Sequence, residues 1–429
     1  MTSDSIPRRR YLQLAGSSVT AGAIAGCLGD DDDAPADDAD DDDQPIADED
    51  DTNDVDDDPI TIAGLQPYSG PFALYGDMHT AGVDFAIQEI NANDGVLGRP
   101  LQHEAVDTGS DPGEALTIFI GMIEDHDPVA VVGPVSSDVV LNVVPDAEEE
   151  GIPLFIHAGG DPREITRESR FTFRTANLPA TVWAQSFSEL IEEEGYDSAG
   201  AIIADYAWGR AMEAALDHYI SDQIELHMEV APFGADDFTP YLGDFPDDIE
   251  LLIGSGHPPG VHPIFSQALE LGLEPDLYVA AIAPTTASIG ALGESVTQNF
   301  STGTQPDMFS DEFAETAERF YEETGEQFDS SSATGYSTVQ MIAQAIEEAG
   351  SADSEAVAEE IRTQEFDTLF AEPMQYTEYG EPDQQVHILS GYEMGDTPYS
   401  PETEIRPDEV FRSEPLPARD PDDDPFEVE

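Results

Sequence analysis

The chain has 429 residues and carries 93 acidic against 14 basic side chains, all of the latter arginine, for a formal net charge of −79. With no basic patch to release counterions from phosphate, nucleic acid is excluded as a partner. Self-repulsion at this density destabilises a compact state in dilute salt; molar salt shortens the Debye length to about 3 Å and removes most of the penalty, so the composition fits a halophile and reports habitat, not function.

In chain order, Arg8 and Arg9 followed by Tyr11 and Leu12 form a twin-arginine export signal. The apolar stretch from Leu12 to Gly26 is too short and too rich in Gly, Ala and Ser for a transmembrane helix. It ends in Ile24-Ala25-Gly26-Cys27, which resembles the lipobox of bacterial and archaeal lipoproteins, with Cys27 as the lipid attachment point. Cys27 is the only cysteine, so no disulfide framework competes for it. The plainer alternative is a cleaved signal with an incidental cysteine. The expected localisation is the extracellular face of the cell membrane. Residues 28–58 follow as an acidic run with almost nothing to bury, expected to be a disordered spacer extended by self-repulsion. The far end, 396–429, is again rich in Pro, Asp and Glu and is expected to be a surface or disordered tail.

Between these lie about 340 residues, enough for two domains. Apolar runs at Ile60–Leu65, Leu101–Val106, Val129–Gly133 and Ile152–Ile156 read as strands, separated by helical periods at Ala81–Ile90, Pro112–Ile123 and Ser137–Glu150. The rhythm resumes with strands at Gly200–Ala204, Leu226–Ala231 and Glu250–Ile253 and helices at Gly209–Tyr219 and Pro263–Leu271. This alternation predicts an α/β fold of parallel sheets covered on both faces. In such sheets, ligands bind at the loops beyond the carboxyl ends of the strands. Gly133-Pro134-Val135-Ser136-Ser137 opens a helix with hydroxyls and free N–H groups suited to an anion, although a plain N-cap has the same appearance. His157-Ala158-Gly159-Gly160-Asp161-Pro162 offers glycines for close backbone approach to a ligand, or simply a tight turn.

These motifs carry a resemblance. Ile62-x-Gly64, Ser69-Gly70-Pro71, Tyr75-Gly76 and Glu89-Ile90-Asn91-Ala92-x-x-Gly95-Val96-Leu97-Gly98-Arg99-Pro100 resemble the start of the branched-chain amino-acid receptors of ABC transporters. The likeness continues through Gly133–Ser137, Gly151–Leu154, Phe173-Arg174-Thr175, Asp205-x-x-Trp208-Gly209-Arg210, Asp237-Phe238-Thr239 and Ala333–Gln340, spanning about 60 to 394 in order. It implies the two-lobed type I periplasmic-binding-protein fold, each lobe a mostly parallel sheet flanked by helices, joined by hinge crossings. Lobe one would hold 59–178 and 306–362, and lobe two 179–305 and 363–395. It also implies ligand contacts at Tyr75, Ser136, Ser137, Ala158, Gly159 and Gly160 in the first lobe, and at Trp208, Gly256 and His257 in the second.

Some positions depart from the family pattern. Gly160 stands where relatives carry Thr, Ile156 where they carry Ser, and the aromatic Gly-Gly-Tyr-Tyr-Pro loop is Gly254-Ser255-Gly256-His257-Pro258. The acid that pairs with a ligand's ammonium should fall in Ala281-Ile282-Ala283-Pro284, which has none. A buried ammonium without a counter-charge is costly, so either Asp205 substitutes or the ligand is not an α-amino acid; Asp205 otherwise reads as a helix cap. Enzyme motifs are absent: no Gly-x-Ser-x-Gly elbow, no phosphate-binding Gly-x-x-x-x-Gly-Lys, no His-Glu-x-x-His and no EF-hand loop. No catalytic residue, metal or cofactor is expected. The expectation is a monomeric receptor, anchored by lipid, that closes on a small-molecule solute and delivers it to an ABC permease and its ATPase subunits. A branched-chain amino acid leads, with an amide, urea or carboxylate receptor, or a sensor for signalling, as alternatives.

Overall fold

A computed structural model describes residues 58–175, 178–255, 260–396 and 404–422. The proposed signal, Cys27 and nearly all of the spacer therefore lie outside the described residues.

The first sheet holds five parallel strands, β1 (Ile60–Gln66), β2 (Leu101–Asp107), β3 (Ala130–Val132), β4 (Leu154–Ile156) and β5 (Thr172–Arg174), in the order β2-β1-β3-β4-β5. All seven residues of β1 are buried, as expected of a central parallel strand covered on both faces. Helices α1 (Ala73–Asn91), α2 (Pro112–His126) and α3 (Ser137–Glu150) make the crossovers. Asp111 caps α2 by accepting from Glu114 N at 2.9 Å, with Pro112 at the first helical position.

After β5 the chain enters a second lobe through α4 (Ala180–Glu194), β6 (Ser198–Asp205), α5 (Ala207–Ile220), β7 (Glu225–Pro232), α6 (Thr239–Leu242), β8 (Leu251–Ser255), α7 (Val261–Leu271), β9 (Leu277–Ala280), α8 (Thr285–Leu292) and β10 (Phe300–Thr304). It returns to the first lobe with α9 (Asp311–Thr324), α10 (Ser330–Ala349) and α11 (Ser354–Thr363), and α10 packs along α1. Their approach is close: a Cβ on Gly82 would sit 1.9 Å from Ser332 O, and one on Gly335 2.3 Å from His79 O.

Two sequence expectations are corrected here. Residues from 363 were expected in the second lobe, but β11 (Glu365–Phe366), β12 (Met374–Tyr376) and β13 (Pro382–Asp383) form a small antiparallel sheet whose Phe366, Met374 and Tyr376 join the core of the first lobe. The alternation Met374 buried, Gln375 exposed, Tyr376 buried needs an apolar surface beneath it, and the first lobe supplies one. The chain rejoins the second lobe only with β14 (Ile388–Met394). The tail beyond 396 was expected to lie on the surface or be disordered; β15 (Ile405–Arg412) instead pairs antiparallel with β14 as an edge strand, burying Ile405 and Phe411. The second sheet thus runs β15-β14-β10-β9-β8-β6-β7. Past β15, Arg419 reaches back to the first lobe, donating to Glu381 Oε1 at 3.3 Å, while Arg419 O accepts from Tyr379 Oη at 2.8 Å. The acidic composition concealed an edge strand whose exposed face is charged.

In both sheets the first strand of the lobe pairs on either side, β1 with β2 and β3, β6 with β7 and β8. Strand order reverses at these places, which opens a crevice beyond the carboxyl ends of the strands. No helix among the described residues is long and apolar enough to cross a membrane.

Candidate functional site

The crevices of the two lobes face each other. On the first-lobe side, Asp107 at the end of β2 pins the loop after β1 by accepting from Tyr68 N, Ser69 N and Gly109 N at 2.8, 3.1 and 2.8 Å. That loop leads into α1, which lies so close that a Cβ on Gly76 would be 2.3 Å from Pro67 O. Tyr75, in the first turn of α1, is wholly buried and donates its hydroxyl to Ile282 O of the second lobe. Tyr75 therefore makes a contact that spans the lobes.

The loop after β3 turns at Gly133, whose φ of 104° favours glycine and where a Cβ would sit 2.1 Å from the Gln66 carboxamide. It delivers Ser136 and Ser137, both buried, at the start of α3. Ser136 makes no capping bond to that helix. Ser137 Oγ instead accepts from Gly160 N at 3.1 Å and Asp161 N at 3.3 Å, and so ties this loop to the one after β4. Ala158 N donates to Pro134 O at 3.4 Å, and Gly159 O accepts from Arg174. The five positions do come together. However, the Ser137 hydroxyl and the Gly160 N–H already serve each other, so their role is to hold the loop's shape.

Behind that loop lies a wholly buried ion cluster. Arg174 donates to Glu164 Oε2 at 2.7 Å and to Glu381 Oε2 at 2.9 Å, and Arg419 reaches Glu381 from the other side. Burial pushes Glu164 up to about 7 against the pull of Arg174. Burial also opposes ionisation of Glu381, but Arg174 and Arg419 outweigh it and hold that carboxylate below its ordinary range.

From the second lobe, Trp208 in the first turn of α5 is buried and lies edge-on to Trp183, centroids 6.3 Å apart. Tyr206, just ahead of it, completes an aromatic seam that crosses the lobes. Phe72 of the first lobe is 6.3 Å from Tyr206 and stacks at 5.7 Å and 24° on Phe233 of the second. Beside this seam, Phe72, Ile202, Ala204, Phe238 and Ile264 line an apolar recess of about 170 Å³. Tyr206 was not anticipated, although its place between Asp205 and Trp208 was a usable signal. Gly256 and His257 lie outside the described residues.

Asp205 does not enter the site as a counter-charge. It ends β6 facing solvent, its side chain 53 % exposed, and pairs with Arg210 at 2.8 Å, itself 46 % exposed. A strand's last side chain followed by an arginine one turn into the next helix is drawn outward to that partner. The carboxylate that does approach Ala281–Pro284 is Asp329. It caps α10, accepting from Ser331 N at 3.4 Å and Ser330 Oγ at 3.2 Å, and also accepts across the lobes from Thr285 N at 2.7 Å. Asp329 is fully buried, and burial raises its pKa. Its capping role was legible in Asp-Ser-Ser-Ser; its second partner was not.

Next to Asp329, at the crossing from β10, a small, mostly apolar space of about 10 Å³ lies among His157, Ile282, Thr304, Gln305, Ser331 and Thr334. Among the described residues no group of three or more His, Cys, Asp or Glu is placed to hold a metal ion. The arrangement offers hydrogen-bonding groups and apolar walls between two bodies joined at hinges, which is the chemistry of capture.

A family model described as periplasmic binding protein matches residues 59–392. The leucine-, isoleucine-, valine-, threonine- and alanine-binding protein of Pseudomonas aeruginosa is 27 % identical over 320 residues, 72 % of this chain and 84 % of that one. Among solved structures, a leucine-binding protein of Thermotoga maritima MSB8 superposes with a TM-score of 0.70 at 22 % identity, over 83 % of this chain and 99 % of the other. An ABC-transporter solute-binding protein of Rhodopseudomonas palustris BisB5, in complex with 3,4-dihydroxybenzoic acid, gives a TM-score of 0.69 at 16 % identity, over 84 % and 98 %. The chain belongs to the periplasmic binding protein family, with its two-lobed α/β fold of parallel sheets flanked by helices.

Proposed function

We propose that this chain is the extracellular solute receptor of an ABC importer, tethered by lipid at Cys27 after twin-arginine export, and that it closes its lobes on a small polar solute. The observation that carries this reading is the pair of bonds across the lobes, Tyr75 to Ile282 O and Thr285 N to Asp329, at the crevices where strand order reverses. Contacts across the cleft favour a shut form, and a solute that binds that form better shifts the balance towards it. The P. aeruginosa relative's name puts branched-chain amino acids first among solutes to try. A second reading, an amide, urea or carboxylate, is favoured by Asp205, which is committed to Arg210 at the surface and supplies no partner for an ammonium. The test is a thermal-shift titration of the protein in molar salt with leucine, isoleucine and valine against amides, urea and carboxylates. A saturable rise in Tm with any of them supports the receptor, and a flat response to every compound refutes it.

A further inference from the structure

The family match ends at residue 392, yet the chain beyond it touches both lobes. β15 forms the edge of the second sheet, and the residues after it run antiparallel to the crossing that leads into β14. Ser413 N donates to His387 O at 2.9 Å, and Ser413 Oγ accepts from His387 N at 2.9 Å. Leu416 N donates to Gln385 O at 2.9 Å, and Ala418 N to Asp383 Oδ1 at 2.9 Å. This crossing of the lobes is therefore a two-stranded ribbon, although one strand is enough to carry the chain.

The two ends of the second strand are fastened in different lobes. At one end Leu416, 4 % exposed, shares an apolar cluster with Leu389 and Phe411 of the second sheet. At the other, Arg419, 7 % exposed, donates to Glu381 Oε1 at 3.3 Å and to Ile165 O of the first lobe, and its own carbonyl accepts from Tyr379 Oη at 2.8 Å. Charge agrees with this placement. Four of the chain's 14 basic residues, Arg163, Arg167, Arg170 and Arg174, fall between 163 and 174. The acidic end of the chain lands beside them, Arg167 pairing with Asp420 and with Asp422 Oδ2 at 2.9 Å. Those two outer pairs are exposed and are screened in strong salt, so the buried Leu416 and Arg419 carry the attachment.

A hinge concentrates rotation in a few linker residues. A second strand, hydrogen-bonded to the first and fixed at both ends, resists that rotation. Parting the lobes widely must either break the ribbon or draw Arg419 from Glu381, which leaves buried polar groups unmet. There is little slack, since the three steps from Leu416 to Arg419 reach at most about 11 Å when fully extended. We infer that residues 413–422 are a strap at the hinge, a further tie between the lobes that limits how far they part and holds the solute-free chain nearer its shut form.

Hydrogen exchange of the full chain in molar salt, with no solute added, reads the attachment. The amides of Ser413, Leu416 and Ala418 should exchange at least about a hundredfold more slowly than in an unstructured peptide. Small-angle scattering under the same conditions reads the restraint. Arg419→Gln and Leu416→Ser keep the chain length, and each should enlarge the solute-free radius of gyration while the chain still melts cooperatively; the serine variant serves if the glutamine variant does not fold. Asp422→Asn, at an exposed pair, should leave the radius unchanged. Strap amides that exchange at the unstructured rate in the native chain overturn the inference. So does a radius that stays the same or shrinks in the folded variants, and so does an Asp422→Asn chain that expands as much as Arg419→Gln. None of these readouts needs a solute, so they stand or fall apart from the receptor reading.

Discussion

Replacing Tyr75 by Phe removes one oxygen and leaves the ring in place, so it isolates the contact across the lobes. In the shut form the hydroxyl is wholly buried, and its acceptor belongs to Ile282, which is 6 % exposed. With the lobes parted, water reaches both groups, so the deletion has no cost there. In the shut form the Ile282 carbonyl loses this donor where water does not replace it, at about 1–3 kcal/mol. The whole of that difference falls on closure, a factor of about 5–150 in the shut-to-open ratio. Solute affinity, measured by calorimetry, should weaken by the same factor. The association rate should change little, the loss appearing as faster release. Small-angle scattering should show Tyr75→Phe needing correspondingly more solute to reach the compact radius of gyration. Undiminished affinity with unchanged scattering would refute the claim that this bond belongs to the closing interface.

Other expectations follow from the same geometry. Arg174→Met strands Glu164 and Glu381 in a buried site and should lower stability by about 3–5 kcal/mol in chemical denaturation, with Glu381→Gln added to it restoring a large part. Glu164 is raised in the folded state from 4.5 to about 7, so the folded chain holds the extra proton between those values. Its contribution is whole below about pH 4.5 and is lost as pH rises towards 7. Measured against Glu164→Gln at fixed salt, the native chain should lose up to about 3 kcal/mol of stability from pH 4.5 to 8, at about 1.4 kcal/mol per tenfold change in proton affinity; parallel pH profiles would contradict this. Asp205→Asn, at a half-exposed surface pair, should leave solute affinity within about twofold. Gly82→Ala sets a methyl 1.9 Å from Ser332 O and should lose about 1–3 kcal/mol in denaturant melts, whereas Gly121→Ala in α2, with nothing within 4 Å of its new Cβ, should gain about 0.5–1 kcal/mol.

The parts of the site legible in the sequence are those set by neighbours along the chain. The alternation of buried strands and amphipathic helices carries the α/β class, and it places Tyr75 and Ser137 in the first turns of the helices after β1 and β3, and Ser136 and Ala158 in the loops after β3 and β4. Gly133 and Gly76 are glycine for reasons visible only when distant segments meet, Gln66 beside the one and Pro67 O beside the other. What escaped depends on distant partners. Asp205 and Asp329 are both carboxylates at helix starts. One faces Arg210 five residues on, and the other reaches Thr285 across the lobes. Gln305 is one amide in an otherwise unremarked crossing segment, and only burial from both sides singles it out. The strand β15 was hidden because half its residues face water, so Pro407, Asp408 and Glu409 look like tail while Ile405 and Phe411 do the packing.

The balance between open and shut forms follows from which of these groups are satisfied. Closing brings Tyr75 to Ile282, Asp329 to Thr285 and Phe72 onto Phe233, each a gain. It also dries Gln305 and Ser331 without giving them partners, and each buried polar group left unmet costs about 1–3 kcal/mol. Where such gains and costs are of similar size the two forms lie close in free energy, the condition under which a small solute can decide between them. A solute shifts the equilibrium only by the difference in its affinity for the two forms, and groups satisfied by solute in the shut form alone provide that difference.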